Sequence, residues 1–174
     1  PWADHLLWLD AGRVRHSGKL TARGLKQALA ASREQPRLPR QPARRKEVGS
    51  AQPLFTLRDA DVWIDEKRVL ADLNLTIRRG ECWVIHGGNG AGKSTLLRTL
   101  YGDHAVASGR SIRRAGVVHG VPLDDFRTRT GLIAPHLQTD YPRYHTVRDT
   151  VVSGLHASLG LNYRATEAEH RKAL

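Results

Sequence analysis

The chain has 174 residues and carries 28 Lys and Arg against 17 Asp and Glu, a formal net charge of +11. Its single cysteine, Cys82, excludes a disulfide framework and a cysteine-based zinc site, and no apolar run approaches the roughly 18 residues of a membrane span. We therefore expect a cytoplasmic chain that is long enough for one ordinary domain core and that can dock peripherally at the inner face of a membrane.

The first 32 residues predict a hairpin and a helix. Residues 2–16, WADHLLWLDAGRVRH, have the pattern of two short strands around a turn at residues 10–12, a unit too small to be stable alone. Apolar side chains at helical spacing follow in residues 21–32. The hairpin therefore needs another layer of structure to pack against.

Residues 33–53 have the composition of a basic, proline-rich linker. They contain four prolines and almost no large apolar side chains, which is typical of an extended, flexible segment. Residues 1–52 hold 11 basic and 4 acidic side chains, so much of the positive charge lies at this end. We place a domain boundary in this segment; contact with nucleic acid or an anionic membrane is the alternative interpretation of its charge.

Strand patterns return after the linker. Residues 54–64 and 69–77 alternate apolar and polar side chains, as strands with one wet face do, and the charged residues 65–68 form the turn between them. A second turn at residues 78–81 leads into a short apolar run, residues 82–85, which predicts a buried strand.

The next segment, GGNGAGKST, fits the phosphate-loop template of two glycines separated by four residues and followed by Lys and Ser or Thr. A predicted strand precedes it, and a helix with regularly spaced leucines follows and ends at Gly102. Such glycines let backbone N–H groups curl around an anion at the positive end of a helix. We predict that the loop and the first residues of this helix bind the phosphates: Gly87, Gly88, Asn89, Gly90, Ala91, Gly92, Lys93, Ser94 and Thr95.

The remainder of the chain predicts two strands and two helices. Residues 108–116 and 128–135 have short strand patterns. A helix is expected over residues 146–154, because Thr146 and Asp149 have the spacing of a capping box, and a last helix begins near Thr166.

From Leu54 onward the chain resembles an ABC-type ATPase domain. The segment LNLTIRRGE and the asparagine at position 89 are similar to that family beyond phosphate loops in general. The resemblance implies an α/β fold of the P-loop NTPase class, ABC ATPase-like. It covers the N-terminal half of the domain, with an antiparallel β subdomain, and stops before the signature and Walker B regions.

The resemblance also implies roles for individual residues and two bound species, ATP and Mg²⁺. Trp63 occupies the A-loop position, where an aromatic ring stacks on adenine, and Gln138, in IAPHLQTDYP, occupies the Q-loop position. Lys93 and Gln138 are the expected catalytic residues, and Ser94 and Gln138 the expected Mg²⁺ contacts. A half-buried sheet residue and an ordinary loop residue are the alternative interpretations of Trp63 and Gln138.

Two histidine features predict structure rather than chemistry. His86, beside the phosphate loop, is expected to be a packing residue. His136, Asp140 and His145 have a loose spacing that favours loop surface over a metal site.

The front hairpin, DHLLWLDAGRVRHSG, resembles the tail of a preceding ABC domain. We therefore predict three parts: residues 1–32 as that tail, residues 33–53 as the linker, and residues 54–174 as the first half of an ABC domain up to the start of its helical subdomain. Within the family, the chain resembles the soluble tandem ATPases associated with molybdate transport or photorepair.

The expected function is Mg-ATP binding and, in the complete protein, ATP hydrolysis coupled to transport. The resemblance implies a second ABC domain, in cis or as a dimer, and a membrane transporter subunit as partners. This segment alone is expected to be inactive, because the signature, Walker B and switch-histidine motifs are not recognised in it. The alternatives are an ABC-like ATPase acting on nucleic acid or ribosomes, and a non-catalytic module that senses nucleotide during assembly.

Overall fold

The computed structural model describes residues 3–30, 52–107, 111–118, 122–135, 137–142 and 144–173. The chain divides into two compact units, Pro1–Ala115 and Gly116–Leu174. The predicted linker, residues 33–53, lies outside the described residues except for its last two positions.

The first unit contains two three-stranded sheets and two helices. Its elements are β1 (His5–Asp10), β2 (Arg13–Lys19), α1 (Ala22–Ala30), β3 (Pro53–Ile64), β4 (Lys67–Arg78), β5 (Trp83–His86), α2 (Lys93–Tyr101) and β6 (Ser111–Arg114). One sheet has the strand order β2-β1-β5, where β1 runs antiparallel to β2 and parallel to β5. The other has the order β4-β3-β6 and is antiparallel throughout, as predicted for the β subdomain.

The core of the first unit joins both sheets to α2. Along β4 the apolar Leu73 and Leu75 are buried, whereas the polar Asp72 and Asn74 between and beside them are exposed, as strand geometry requires. Burial of such side chains supplies most of the favourable free energy of folding. The buried cluster consists of Leu7, Leu9, Leu57, Ala60, Val62, Leu70, Leu73, Leu75, Ala91, Leu96 and Leu100.

A bulge interrupts the pairing of β3 with β4. The register shifts between Leu57 and Ala60, and Asp59 adopts a positive φ of 46°. The Asn74 amide donates to the Asp59 carboxylate at 2.9 Å, and the Asp59 N–H donates to the Asn74 side-chain oxygen at 3.1 Å. This reciprocal pair stabilises a conformation that few residues other than Gly, Asn and Asp adopt readily.

Helix α2 ends where the sequence predicted. Gly102 takes a left-handed φ of 103°, and its N–H and that of Asp103 donate to the carbonyl oxygen of Arg98. The guanidinium of Arg114, on β6, donates to the carbonyl oxygens of Thr99 and Leu100 at 2.6 and 2.9 Å. The last carbonyl groups of the helix therefore have cationic donors, which suits the negative end of its dipole.

His86 packs as predicted. Its ring is half-buried at the end of β5, and Nε2 donates to the carbonyl oxygen of Ala28 in α1 at 3.0 Å. This bond ties α1 to the strand that leads into the phosphate loop.

The second unit is helical over its described residues. Its elements are α3 (Asp124–Arg127), α4 (Leu137–Asp140), α5 (Val147–Ser153), a 3₁₀ turn (Gly154–His156) and α6 (Glu167–Ala173). The predicted capping box is present: the Thr146 side chain accepts from the Asp149 N–H, and the Asp149 carboxylate accepts from the Thr146 N–H. Thr166 and Glu169 repeat this arrangement at the start of α6.

The strand predicted at residues 128–135 is wrong. The backbone there continues from α3 in turns, with the Arg129 and Thr130 N–H groups donating to the carbonyl oxygens of Phe126 and Arg127. Residues 130–134 are irregular, and Ile133 is 99% exposed. A strand needs a neighbouring strand to satisfy its backbone, and the second unit has none among its described residues.

A polar cluster links the 3₁₀ turn to α6. The Tyr163 hydroxyl donates to the Glu169 carboxylate at 2.6 Å, and His156 Nε2 lies 2.7 Å from that hydroxyl and 2.9 Å from the carboxylate. The Tyr163 hydrogen bond, followed by those from the Thr166 N–H and hydroxyl, lowers the pKa of Glu169 to about 2. The cluster therefore keeps Glu169 charged in acid, at pH values between about 2 and 4.5 where an ordinary glutamate is largely protonated.

Candidate nucleotide-binding site

The phosphate loop connects β5 to α2 through residues 87–92. Gly90 and Gly92 have positive φ angles of 76° and 92°, a conformation that costs glycine nothing. The Ala91 N–H donates to the carbonyl oxygen of Gly88 at 3.2 Å, which closes the loop on itself. The predicted order of strand, loop and helix is therefore present, with β5 beginning one residue later than expected.

The start of α2 offers backbone donors to a ligand. Its first intrahelical bond runs from the Leu96 N–H to the carbonyl oxygen of Gly92, so the N–H groups of residues 93–95 precede the helical ladder. The cap residue, Gly92, has no side chain that could accept from them. Donors at a helix N-terminus, together with the helix dipole, form an anion-binding site.

Lys93 lies over this loop. Its ammonium group donates to the carbonyl oxygens of Gly87 and Gly88 at 2.9 and 2.8 Å. Both acceptors are neutral, whereas a phosphate offers charged oxygens, which form stronger hydrogen bonds with an ammonium group. When an anion binds in the loop, the Lys93 ammonium group can therefore donate to it in place of the two loop carbonyl oxygens.

The glycines of the loop fall into two groups. A Cβ on Gly87 would lie 2.4 Å from the carbonyl oxygen of Leu9, and a Cβ on Gly92 would lie 2.6 Å from Cδ2 of Leu70. At Gly87 the close atom is backbone, so packing alone requires glycine, whereas at Gly92 the close atom is a side-chain methyl and the positive φ is the stronger requirement. A Cβ on Gly88 or Gly90 would meet no protein atom within 4 Å. Gly90 is explained by its positive φ, whereas nothing in the described residues crowds Gly88.

The two hydroxyl residues after Lys93 differ in exposure. Ser94 is exposed at the loop end of α2, and Thr95 is half-buried. The Thr95 carbonyl oxygen accepts from the Thr99 hydroxyl at 2.8 Å, one turn further along. Ser94 can therefore present its hydroxyl to a ligand without leaving the helix.

Trp63 lies at the end of β3 with its side chain exposed. Its exposed fraction is 53%, and it pairs with Arg68 beside the turn between β3 and β4. The preceding residue, Val62, points into the core and pairs with Leu70, the side chain that packs against Gly92. Trp63 is therefore the sequence neighbour of a core residue that packs beneath the loop, and just over half of its surface is exposed.

A buried carboxylate stabilises the strand ends beside Trp63. Asp61 is 5% exposed, accepts from the Asp72 N–H at 2.7 Å and forms an ion pair with Arg68 at 3.4 Å. A buried charge requires such partners. The contacts of Asp61 with Asp72 and Arg68 therefore join β3 to β4 next to Trp63.

Gln138 belongs to the second unit. It lies in α4, Leu137–Asp140, a short helix that the sequence did not predict. Its predicted contact with Mg²⁺ is a side-chain contact and stays a prediction.

The family is decided by sequence comparison. The profile of the ABC transporter family matches residues 70–173, which is more than half of the chain and includes the phosphate loop. The chain belongs to the ABC transporter family. The resemblance to ABC-type ATPases and the predicted α/β P-loop fold are thereby confirmed.

Individual ABC proteins show how much of the family this chain represents. It is 32% identical to the ABC transporter ATP-binding protein ModF of Escherichia coli strain K12 over 138 residues, which cover 77% of the chain and 28% of ModF. The zinc import ATP-binding protein ZnuC of Vibrio cholerae is 39% identical over 64 residues, covering 37% of the chain and 24% of ZnuC. The chain therefore spans about a quarter of the length of these relatives.

An uncharacterized ABC transporter ATP-binding protein of Schizosaccharomyces pombe is 30% identical over 112 residues, covering 62% of the chain and 23% of that protein.

Within the part of this ABC chain that the structure describes, no helix is long and apolar enough to cross a membrane. Nor do the described residues contain a group of three His, Cys, Asp or Glu side chains placed to hold a metal ion.

The sequence did not predict that the front hairpin contacts the phosphate loop. The Gly12 N–H donates to the carbonyl oxygen of Ala91 at 3.3 Å, and the Leu9 carbonyl oxygen lies against Gly87. Glycine in the turn DAGR was a local signal of a tight turn, but it carries no information about which segment the turn contacts.

Proposed function

We propose that this chain binds Mg-ATP through residues 87–95, and that the complete protein hydrolyses ATP together with a second ABC domain. One observation carries the proposal: the N–H donors that open α2, the Lys93 ammonium and the uncrowded Gly88 meet at one loop. Membership of the ABC transporter family supports nucleotide as the anion.

The loop suits a polyphosphate rather than a single small anion. Lys93 and the donors of residues 93–95 supply charge and directed hydrogen bonds over several atoms. The exposed backbone of residues 88–90 lets phosphate oxygens approach where a side chain would block them. In this proposal Lys93 contacts the β- and γ-phosphates, and Asn89 and Thr95 lie along the same path.

Mg²⁺ fits the residue types of the site. Ser94 has an exposed hydroxyl beside the predicted phosphate position, and Mg²⁺ in such sites takes one or two protein oxygens plus phosphate oxygens. Ser94 would hold the ion, which when bound neutralises phosphate charge, and the family resemblance implies Gln138 as a further contact in the complete protein.

Trp63 is proposed as the adenine contact. An exposed indole face stacks favourably on a purine, and base stacking on an aromatic side chain is worth about 1–3 kcal/mol. The rigid pairing of β3 with β4, supported by Asp61, gives the ring a defined position.

Coupling to transport is proposed from the relatives. The ABC transporter ATP-binding protein ModF and the zinc import ATP-binding protein ZnuC are named for service in transport. A membrane transporter subunit and a second ABC domain are therefore the proposed partners, with the chain on the cytoplasmic side.

The test is Mg-ATP binding by the 174-residue chain, measured by isothermal titration calorimetry. Replacing Lys93 by Ala removes charge-assisted hydrogen bonds worth about 1.5–3 kcal/mol, so affinity should fall by about 10- to 100-fold. Lys26→Ala, which removes one positive charge from the exposed face of α1, is the matched control and should bind like the unmodified chain. Equal affinity of the folded Lys93→Ala and Lys26→Ala variants would refute the phosphate role.

A further inference from the structure

The front hairpin runs alongside the strand that feeds the phosphate loop. β1 pairs in parallel with β5 from His5 opposite Trp83 to Trp8 opposite His86. The residues that follow this last pair are Leu9 in β1 and Gly87, the first residue of the phosphate loop. These two are in close contact, because a Cβ on Gly87 would lie 2.4 Å from the Leu9 carbonyl oxygen.

The turn of the hairpin reaches the far end of the same loop. Gly12 has a positive φ of 76°, and its N–H donates to the carbonyl oxygen of Ala91 at 3.3 Å. On its other side, the Gly12 carbonyl oxygen accepts from the Ala71 N–H of β4 at 2.9 Å. A Cβ on Gly12 would lie 2.0 Å from the Val69 carbonyl oxygen, so no other residue fits between the loop and β4 without a shift.

Side chains hold the hairpin in this register at both of its ends. The Asp4 carboxylate accepts from the Cys82 N–H at 2.8 Å, and the His5 ring stacks on Trp83 with centroids 4.7 Å apart. At the turn, Arg13 forms an ion pair with Asp72 at 3.2 Å. The hairpin is therefore attached to the rest of the first unit by contacts other than those with the loop.

These contacts divide the loop into a braced part and an open part. Gly87 lies against Leu9, and Ala91 is bonded to Gly12, whereas a Cβ on Gly88 or Gly90 would meet no protein atom within 4 Å. A binding loop held in its productive conformation before the ligand arrives loses less conformational entropy on binding.

We infer that the hairpin turn, residues 9–12, positions the phosphate loop, with Gly12 as a positioning residue that acts on the ligand through Ala91. This inference rests on the proposed nucleotide function of the loop. It assigns to the front of the chain a part in nucleotide affinity, through the backbone contacts of Leu9 and Gly12 with the loop.

The first test uses the unmodified chain without nucleotide. Amides that open in one cooperative event share one opening equilibrium, which native-state hydrogen exchange measures. The Gly12 and Ala91 N–H groups should show the same protection factor within about threefold and lose protection together at low urea. A Gly12 amide that exchanges about 100-fold faster than Ala91 would overturn the inference, since the turn would then open without the loop.

The second test compares Gly12→Ala with Gly18→Ala. Gly18 also has a positive φ, 149°, but a Cβ there would meet nothing within 4 Å, so this variant controls for backbone strain in the same hairpin. Gly12→Ala should raise the Kd for Mg-ATP at least about tenfold and speed exchange at Ala91, while amides of the β3–β4 pair keep their protection. Gly18→Ala should change neither quantity.

The outcomes separate the inference from the proposed function. Should the unmodified chain fail to bind Mg-ATP, the proposed function fails, and exchange at Ala91 in the two variants still decides the positioning role. Mg-ATP binding that is equal in Gly12→Ala and Gly18→Ala would overturn the positioning role and leave the proposed function standing. If Gly12→Ala does not fold, the protection factors of the unmodified chain decide.

Discussion

Leu70 connects the stability of the core to the shape of the phosphate loop. Its side chain is fully buried in β4, pairs with Val62 and is the nearest side chain to a Cβ placed on Gly92. Leu70→Ala removes three buried carbons, worth about 0.8 kcal/mol each, or about 2.4 kcal/mol in all. The cavity left beneath the loop raises the expected loss in the free energy of unfolding to about 3–5 kcal/mol.

Urea denaturation, monitored by tryptophan fluorescence, measures this loss of stability in the first unit. All four tryptophans fall within residues 1–115, so their emission reports on the first unit. With a urea dependence of about 2 kcal/mol per molar, the midpoint of unfolding should fall by roughly 1.5–2.5 M. Leu57→Ala is the control, because Leu57 is 1% exposed in the same core but pairs with Leu75 and Ile112.

The two variants should lose similar stability and differ in binding. Leu70→Ala leaves Gly92 without its packing partner, so the Kd for Mg-ATP should rise several-fold under conditions where the chain remains folded. Leu57→Ala should bind Mg-ATP like the unmodified chain. A stability loss below about 1 kcal/mol for Leu70→Ala would refute the predicted cost of the cavity. The same change in affinity for both variants would refute the link between this side chain and the loop.

Three further predictions address single groups. Gly88→Ala should leave the thermal unfolding midpoint unchanged, since its Cβ meets no protein atom, but weaken Mg-ATP binding by calorimetry. Trp63→Ala should bind ATP and inorganic triphosphate almost equally, whereas Trp63→Phe should keep the preference for ATP. Tyr163→Phe should raise the pKa of Glu169 from about 2 towards 4.5 in an NMR titration. Because the folded-state pKa is the lower one, the stabilisation of α6 by Glu169 is present above pH 4.5 and is lost as the pH falls towards 2.

Local signals predicted the elements around the loop well. The glycines and Lys93 specify the loop through their own backbone and charge requirements, and Gly102 ends α2 because only a residue tolerant of positive φ fits there. The capping box at Thr146 is likewise local, since both partners lie within four residues. Such features need no knowledge of what the segment packs against.

Features that depend on distant partners were harder to predict. The apolar pattern at residues 128–135 suits a strand, but no neighbouring strand in the second unit pairs with it in the described residues. The short helices α3 and α4 have four residues each, too few for a helical period to be recognised. The second capping box, Thr166 with Glu169, has a local signal in the three-residue spacing of Thr and Glu.

The front hairpin illustrates why pairing is difficult to infer from one sequence. Backbone hydrogen bonds between strands are the same whatever the side chains, so the apolar run of β1 did not show that its partner begins 78 positions later. Its resemblance to the tail of a preceding ABC domain stays a prediction. In this chain, however, the residues on either side of the predicted linker share one compact unit.

Side chains, rather than backbone bonds, specify this pairing. A slip of one residue between β1 and β5 would turn the buried Leu7 and Leu9 away from the core and separate Asp4 from the Cys82 N–H. The same slip would carry Gly12 away from Ala91 and from the Val69 carbonyl oxygen, which leaves no room for a Cβ on Gly12. The register that buries the hairpin is thus also the register that braces the loop, so stability and loop geometry depend on the same few residues.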